Sequence, residues 1–201
     1  LLVYVFYFFY KKNLPRRVRL PILFISSLLI LLSFSKVAVG VFILVNLLSL
    51  ISRRSDDSCH ICFLSRCVGF LTVGYLFFAF KTDPLTISNR LTLVKRAVQI
   101  VIAHPITGVG AGAYVIAQSA FSFSVWYLFN QPVHNIFLLV LAEHGLLVPL
   151  ALLFLFRHQA IRFLKKYPYI ALVIGITGLF DHYFLTLQQN LLLIGVVLGG
   201  L

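Results

Sequence analysis

Two neighbouring residues, His134 and Asn135, open the stretch PVHNIFLLVLAEHG, Pro132 to Gly145. An imidazole can take or hold a proton near neutral pH, and a carboxamide can bind a hydroxyl-rich ligand. Gly145 lies eleven residues after His134, close to three helical turns, so a single helix would carry both on nearly one face. A small residue on that face admits a neighbouring helix. This predicts His134 at the mouth of a groove between helices, where water meets membrane. The alternative is an interfacial capping histidine with no chemistry. A second cluster, GLFDHYFLTLQQN from Gly178 to Asn190, gathers Asp181, His182, Tyr183, Thr186, Gln188 and Gln189 between two apolar runs. It suits sugar recognition or packing beneath a loop. Lys36, Arg90, Lys95 and Arg96 are cations of the kind that bind the phosphates of a lipid-linked substrate. Ordinary snorkelling at the interface is the competing account for Lys95 and Arg96. Lys36 stands between two apolar stretches, where an unpaired charge is costly. Glu143 and His144 are adjacent and share no helix face, so they do not form a catalytic pair. Glu143 reads either as a substrate-facing carboxylate or as a structural, hydrogen-bonded one.

Two further patterns lead elsewhere. GVGAGA, Gly108 to Ala113, fits a loose GxGxxA dinucleotide pattern, but it follows His104-Pro105 and a surface helix rather than a strand. A nucleotide-binding loop needs the strand. The glycines instead predict a tight turn close to a ligand or another helix. Cys59, Cys62 and Cys67 include a CHIC spacing, but no second ligand pair follows, so no metal is expected there.

The elements that must position these residues are membrane helices. The 201-residue chain is 61% hydrophobic and 11% charged, with a mean hydropathy of +1.01. A soluble domain is roughly 45–50% apolar and 25% charged. The apolar runs are continuous rather than alternating, so helices are expected and a barrel is not. The net charge of +12 sits in short segments between apolar runs, the positive-inside pattern, which argues against nucleic acid. The chain contains no Met, so it is read as the C-terminal part of a larger protein.

Taken in order, residues 1–80 are expected to be membrane spans joined by short basic cytoplasmic loops. KKNLPRRVR, Lys11 to Arg19, holds five basic residues and no acid. Leu20 to Ile51 is 32 residues, too long for one perpendicular span of about 20. SFSK, Ser33 to Lys36, is therefore read as a turn between two short or tilted spans. RRSDDSCH, Arg53 to His60, is the next cytoplasmic loop, and Ile61 to Phe80 runs outward. Residues 81–133 form a large extracytoplasmic loop. Within it, Ser88 to Pro105 is expected as a surface helix capped by Ser88 or Asn89, and FSFSVWYLF, Phe121 to Phe129, as an interfacial anchor. Residues 134–201 return to the membrane, with one helix from His134 to Phe156, a basic cytoplasmic segment from Arg157 to Lys166, and a hairpin of Tyr169–Phe180 and Phe184–Leu201. The fold class is thus an all-α integral membrane protein, a polytopic bundle of about six spans or part-spans with a large outer loop.

Together these residues carry a resemblance. His134-Asn135 followed by Gly145 resembles the histidine motif of the bacterial O-antigen ligase and O-antigen polymerase superfamily. HPITGVGAGAY, His104 to Tyr114, is similar to the glycine-rich stretch that precedes it there, and SFSK resembles a Ser-Arg element at a helix start. Lys36 stands where that family usually has Arg, and Val148 where the ligase motif continues with a small residue or Tyr. The resemblance implies a multi-span enzyme of the bacterial plasma membrane, with its active site on the outer face. Such an enzyme transfers a glycan from an undecaprenyl-diphosphate-linked donor to the hydroxyl of a lipid or glycan acceptor, using no metal or other cofactor. By the same resemblance Arg90 and Lys36 would hold the diphosphate and His134 would orient or deprotonate the acceptor. Asn135, Glu143, Asp181 and His182 would bind substrate. The alternatives are a transporter or flippase fragment with Glu143, His144 and Asp181 as a polar pathway, and a non-catalytic assembly subunit.

Overall fold

A computed structural model describes residues 1–10, 14–33, 35–51, 74–75, 84–120 and 131–199. The three cysteines, Asp83, the Arg53–His60 loop and the aromatic run after Phe121 lie outside them. Every regular element among the described residues is helical, as continuous apolar runs demand. The chain divides into two compact units, Leu1–Lys81 with Gly195–Leu201, and Thr82–Ile194.

In the first unit, α1 (Leu2–Val5) passes into a π-helical turn at Phe6–Tyr10, followed by α2 (Arg16–Leu32) and α3 (Lys36–Ile51). The SFSK segment breaks the apolar run as expected. The Ser33 hydroxyl donates to the Ile30 carbonyl at 2.7 Å and so closes α2. Ser35 Oγ accepts from the Ala38 amide at 3.3 Å at the start of α3, the role of a serine cap. Between Val37 and Leu48 α3 is apolar apart from Asn46, which is buried. Its Oδ1 accepts from the Tyr4 hydroxyl at 2.8 Å and its Nδ2 donates to the Phe42 carbonyl at 2.7 Å, so the carboxamide is satisfied where water is absent.

The second unit carries α4 (Pro84–Ala103), α5 (Tyr114–Ala120), α6 (Ile136–His144), α7 (Leu147–Lys166), α8 (Pro168–Phe180), the one-turn α9 (Tyr183–Thr186) and the first part of α10 (Gln188–Gly199). Leu93, Ala97 and Ile100 of α4 recur at helical spacing and are buried. Ala97 and Ile100 share a core with Tyr114, Val133, Leu139 and Ala142. This core locks α4, α5 and α6 together ahead of the first long apolar helix.

Several expectations change. α4 begins at Pro84, so Ser88 and Asn89 lie inside it rather than capping it. Proline suits the first helical turn because its missing N–H would have no partner there. The single helix expected from His134 to Phe156 is two, because Gly145 ends α6 in a positive-φ conformation. Arg157–Lys166 is no loop but the last turns of α7. The final return breaks at Leu187, between α9 and α10. Among the described residues α7 alone is both long and apolar enough to cross a membrane, while α3, α8 and α10 are apolar but shorter. α7 buries none of its side chains, as a helix facing lipid would.

Candidate functional site

The loop before α6 and the turn after α8 meet around one histidine. His134 stands immediately before Asn135, the N-cap of α6. Asn135 Oδ1 accepts from the Leu138 amide at 2.9 Å, which satisfies one of the unpaired donors of the first turn. Asn135 Nδ2 donates to the Leu179 carbonyl at 3.1 Å, tying the start of α6 to the end of α8. The same carboxamide thus fixes the backbone on which His134 sits. Asp181 C-caps α8, and its Oδ1 accepts from the His182 amide at 2.8 Å.

These ties bring His134, Asp181 and His182 together. His134 Nδ1 is buried, lacks a hydrogen bond among the described residues, and faces Asp181 Oδ1 at 3.8 Å. The two side chains keep 15% and 30% of their exposure, so each is part-buried and retains a solvent-facing edge. The His134 and His182 rings lie 5.0 Å apart, and Tyr183 stands edge-on to His134 at 6.3 Å. His182 Nδ1 is 2.8 Å from the Thr186 hydroxyl. Burial, followed by the neighbouring His134, holds His182 below the ordinary histidine range, against the opposing pull of Asp181. His182 is thereby favoured neutral beside the better-exposed pair. One ligand-capable atom from each of His134, Asp181 and His182 lies within 4.8 Å of the other two. The family resemblance implies no metal, yet folding assembles one mixed donor set from distant residues.

The glycine-rich turn has a definite partner. Gly108, Gly110 and Gly112 all take positive φ, a conformation that costs other residues dearly. The turn lies against the C-terminal end of α6. The Val109 amide donates to the Ala142 carbonyl at 2.9 Å and the Gly110 amide to the Glu143 carbonyl at 2.8 Å. In return the Leu146 amide donates to Pro105 at 2.9 Å and the Leu147 amide to Ile106 at 3.1 Å. A β-carbon on Gly108 would collide with the Glu143 carbonyl group, and one on Gly145 with that of Ile106. Gly145 therefore serves as a helix terminator clasped by the turn, and not as the small residue in a helix seam that its spacing suggested. The two glycine motifs are halves of one backbone clasp, the turn 105–110 against residues 142–147.

The other candidates are dispersed. Arg90 is exposed on α4 and makes no hydrogen bond or ion pair with the histidine cluster among the described residues. Glu143 is the penultimate residue of a short helix rather than the middle of a long one. It joins the clasp through its backbone carbonyl. Lys36 starts α3 in the first unit. Arg96 lies beside the fully buried Gln118, whose amide oxygen can accept from Arg96 Nη1 at 3.3 Å while its nitrogen donates to the Gln131 carbonyl at 3.0 Å. Burial pushes the Tyr114 hydroxyl up to about 12, so it remains a neutral core group. Sequence reading found the DHY cluster and the histidine motif separately. That they meet was hidden, because Asp181 lies 47 positions after His134 in the chain.

A family model described as O-antigen ligase matches residues 1–155. No curated protein and no solved structure matches the chain. The matched segment contains His134, the clasp, α4 and the SFSK turn, while Asp181 and His182 lie beyond it. Since that segment covers most of the chain, the protein belongs to the O-antigen ligase family.

Proposed function

We propose that this protein works in surface polysaccharide assembly, transferring a glycan from an undecaprenyl-diphosphate-linked donor to an acceptor hydroxyl at the outer face of the plasma membrane. The observation that carries this reading is the pairing of His134 with Asp181, 3.8 Å apart and each with a solvent-facing edge, within a chain of the O-antigen ligase family. The acceptor oxygen attacks the anomeric carbon, the bond from that carbon to the diphosphate oxygen breaks, and the acceptor proton passes to His134. Asp181 orients the imidazole and stabilises the imidazolium that forms, as a carboxylate does beside a catalytic histidine. The diphosphate departs with its electron pair and its negative charge. Arg90, exposed on α4, is assigned to neutralise that charge. Lys36 is given the same task by its motif alone. Asn135 acts by holding the loop that presents His134, and His182 and Tyr183 wall the acceptor side. The exposed stripe of Leu91, Val98 and Ile102 on α4 suits a helix lying along the membrane surface beside the lipid carrier.

The test uses the full-length protein in vesicles, with a lipid-diphosphate-linked glycan, a membrane acceptor and transfer read by gel mobility. Wild type should transfer. His134→Ala, at matched protein level, should lose about 10²–10⁴-fold in rate, the usual contribution of a positioned acid or base. Undiminished transfer by His134→Ala would remove the histidine from the chemistry. Loss on Glu143→Gln with tolerance of His134→Ala would point instead to a transport pathway.

A further inference from the structure

His134, Asp181 and His182 offer two imidazoles and a carboxylate to one point, with a ligand-capable atom from each inside 4.8 Å of the others. Nitrogen donors of this kind select transition metals of the zinc class, whereas calcium and magnesium prefer oxygen alone. In a tetrahedral zinc site, bonds of about 2.0–2.2 Å place the ligand atoms about 3.3 Å apart. His134 Nδ1 and Asp181 Oδ1 are already at 3.8 Å, so that pair needs to close by about 0.5 Å, and no pair of the set by more than about 1.5 Å, to reach that spacing. Both side chains lie on loop residues flanking helices, where such an adjustment is small. His182 is held by Thr186 at 2.8 Å, and its backbone by Asp181 at 2.8 Å, so one ligand is oriented before a metal arrives. His134 Nδ1 is buried and has no hydrogen bond among the described residues, and it gains a partner if the metal takes it.

We propose that His134, Asp181 and His182 form a binding site for zinc-class divalent ions, and that the bound ion blocks glycan transfer. The blocking half rests on the reading of His134 as the acceptor's base. A lone pair and a carboxylate committed to a metal cannot also receive and stabilise the acceptor proton. The fourth coordination position stays open to water or to the acceptor hydroxyl, so the ion competes for the space the acceptor needs.

The experiment uses full-length protein in which Cys59, Cys62 and Cys67 are all replaced by Ser, to remove thiol binding. Co²⁺ is titrated into the purified protein and followed by its visible absorption, with Zn²⁺ as competitor. One Co²⁺ should bind per chain and be displaced by Zn²⁺. His182→Ala and Asp181→Asn should each weaken binding 10-fold or more, the scale on which altered metal sites respond. In vesicles, Zn²⁺ should stop transfer and a chelator restore it. The half-inhibiting Zn²⁺ concentration should rise in His182→Ala, measured against that variant's own zinc-free rate, by the factor seen in binding. Binding unchanged by both substitutions would overturn the site. Binding lost in the variants but transfer unaffected by Zn²⁺ would overturn the block. The Co²⁺ titration needs no turnover. If the wild type transfers no glycan from any donor, the proposed function falls and takes the block with it, while the titration still decides the site.

Discussion

Substituting Gly145 by Ala should open the clasp between the glycine-rich turn and α6. Gly145 has φ +63° and ψ −162°, a region almost reserved for glycine, where another residue costs about 1–3 kcal/mol. The added β-carbon would also strike the Ile106 carbonyl group and the Gly108 amide. These are backbone atoms, so the turn itself must move. Two bonds are then exposed to loss, Leu146 to Pro105 and Leu147 to Ile106, each with a net worth of about 1 kcal/mol. The sum is about 3–5 kcal/mol against the clasped state. At roughly 1.4 kcal/mol per factor of ten, the amides of Val109, Gly110, Leu146 and Leu147 should exchange about two to four orders of magnitude faster. Hydrogen exchange with mass spectrometry on the full-length protein in detergent would read this. Gly108→Ala should do the same, since its β-carbon meets Glu143 from the other side. Once either substitution has opened the clasp, the second has little left to break, so the pair should be strongly non-additive. Unchanged exchange in Gly145→Ala, or additive effects in the double variant, would refute the clasp as a unit.

Further outcomes follow from single contacts. Asn135→Ala removes both the α6 cap and the bond to Leu179 and should cost about 2 kcal/mol. Asn135→Ser keeps a cap and should cost about half that, both read from thermal unfolding. Tyr4→Phe leaves the buried Asn46 Oδ1 without the tyrosine hydroxyl and should destabilise the first unit by about 1–3 kcal/mol. Tyr4→Phe with Asn46→Leu should cost less than the sum of the two single changes, because neither orphan remains. Gln118→Leu strips the bridge between Arg96 and the Gln131 carbonyl and should cost about 1–3 kcal/mol. Faster proteolysis after Arg96 would check it.

How much of this could be seen in the chain depends on whether the cause was local. The helical class followed from continuous apolar runs, and the SFSK break from a length no single span needs. The glycines of Gly108–Gly112 announced a tight turn near another helix, and α6 is that helix. Gly145 misled because periodicity weighs a glycine by the face it occupies. Its φ of +63° answers instead to a turn some 37 residues earlier in the sequence. The start of α4 was missed for a related reason: Ser88 and Asn89 are good caps, but Pro84 was already compatible with the first turn, and tertiary burial of Leu93, Ala97 and Ile100 favours a longer helix whatever cap is on offer.

The site shows the same division between local and long-range causes. His134, Asn135, Asp181 and His182 each stood out by residue type at the edge of an apolar run. One carboxamide ties their two segments together. Asn135 caps α6 with its oxygen and holds Leu179 with its nitrogen, so the residue that starts the helix also fixes where the end of α8 lies. A chain that kept His134 and Asp181 but lost Asn135 would keep both motifs on paper and hold them less firmly together. Loss of transfer in Asn135→Ala, with His134 and Asp181 intact and part of the activity recovered in Asn135→Asp only so far as the cap alone positions the loop, is the expected sign of that dependence. Equal activity in Asn135→Ala and wild type would mean that the α6–α8 tie is dispensable and that the core around Ala97, Tyr114 and Leu139 alone presents the histidine.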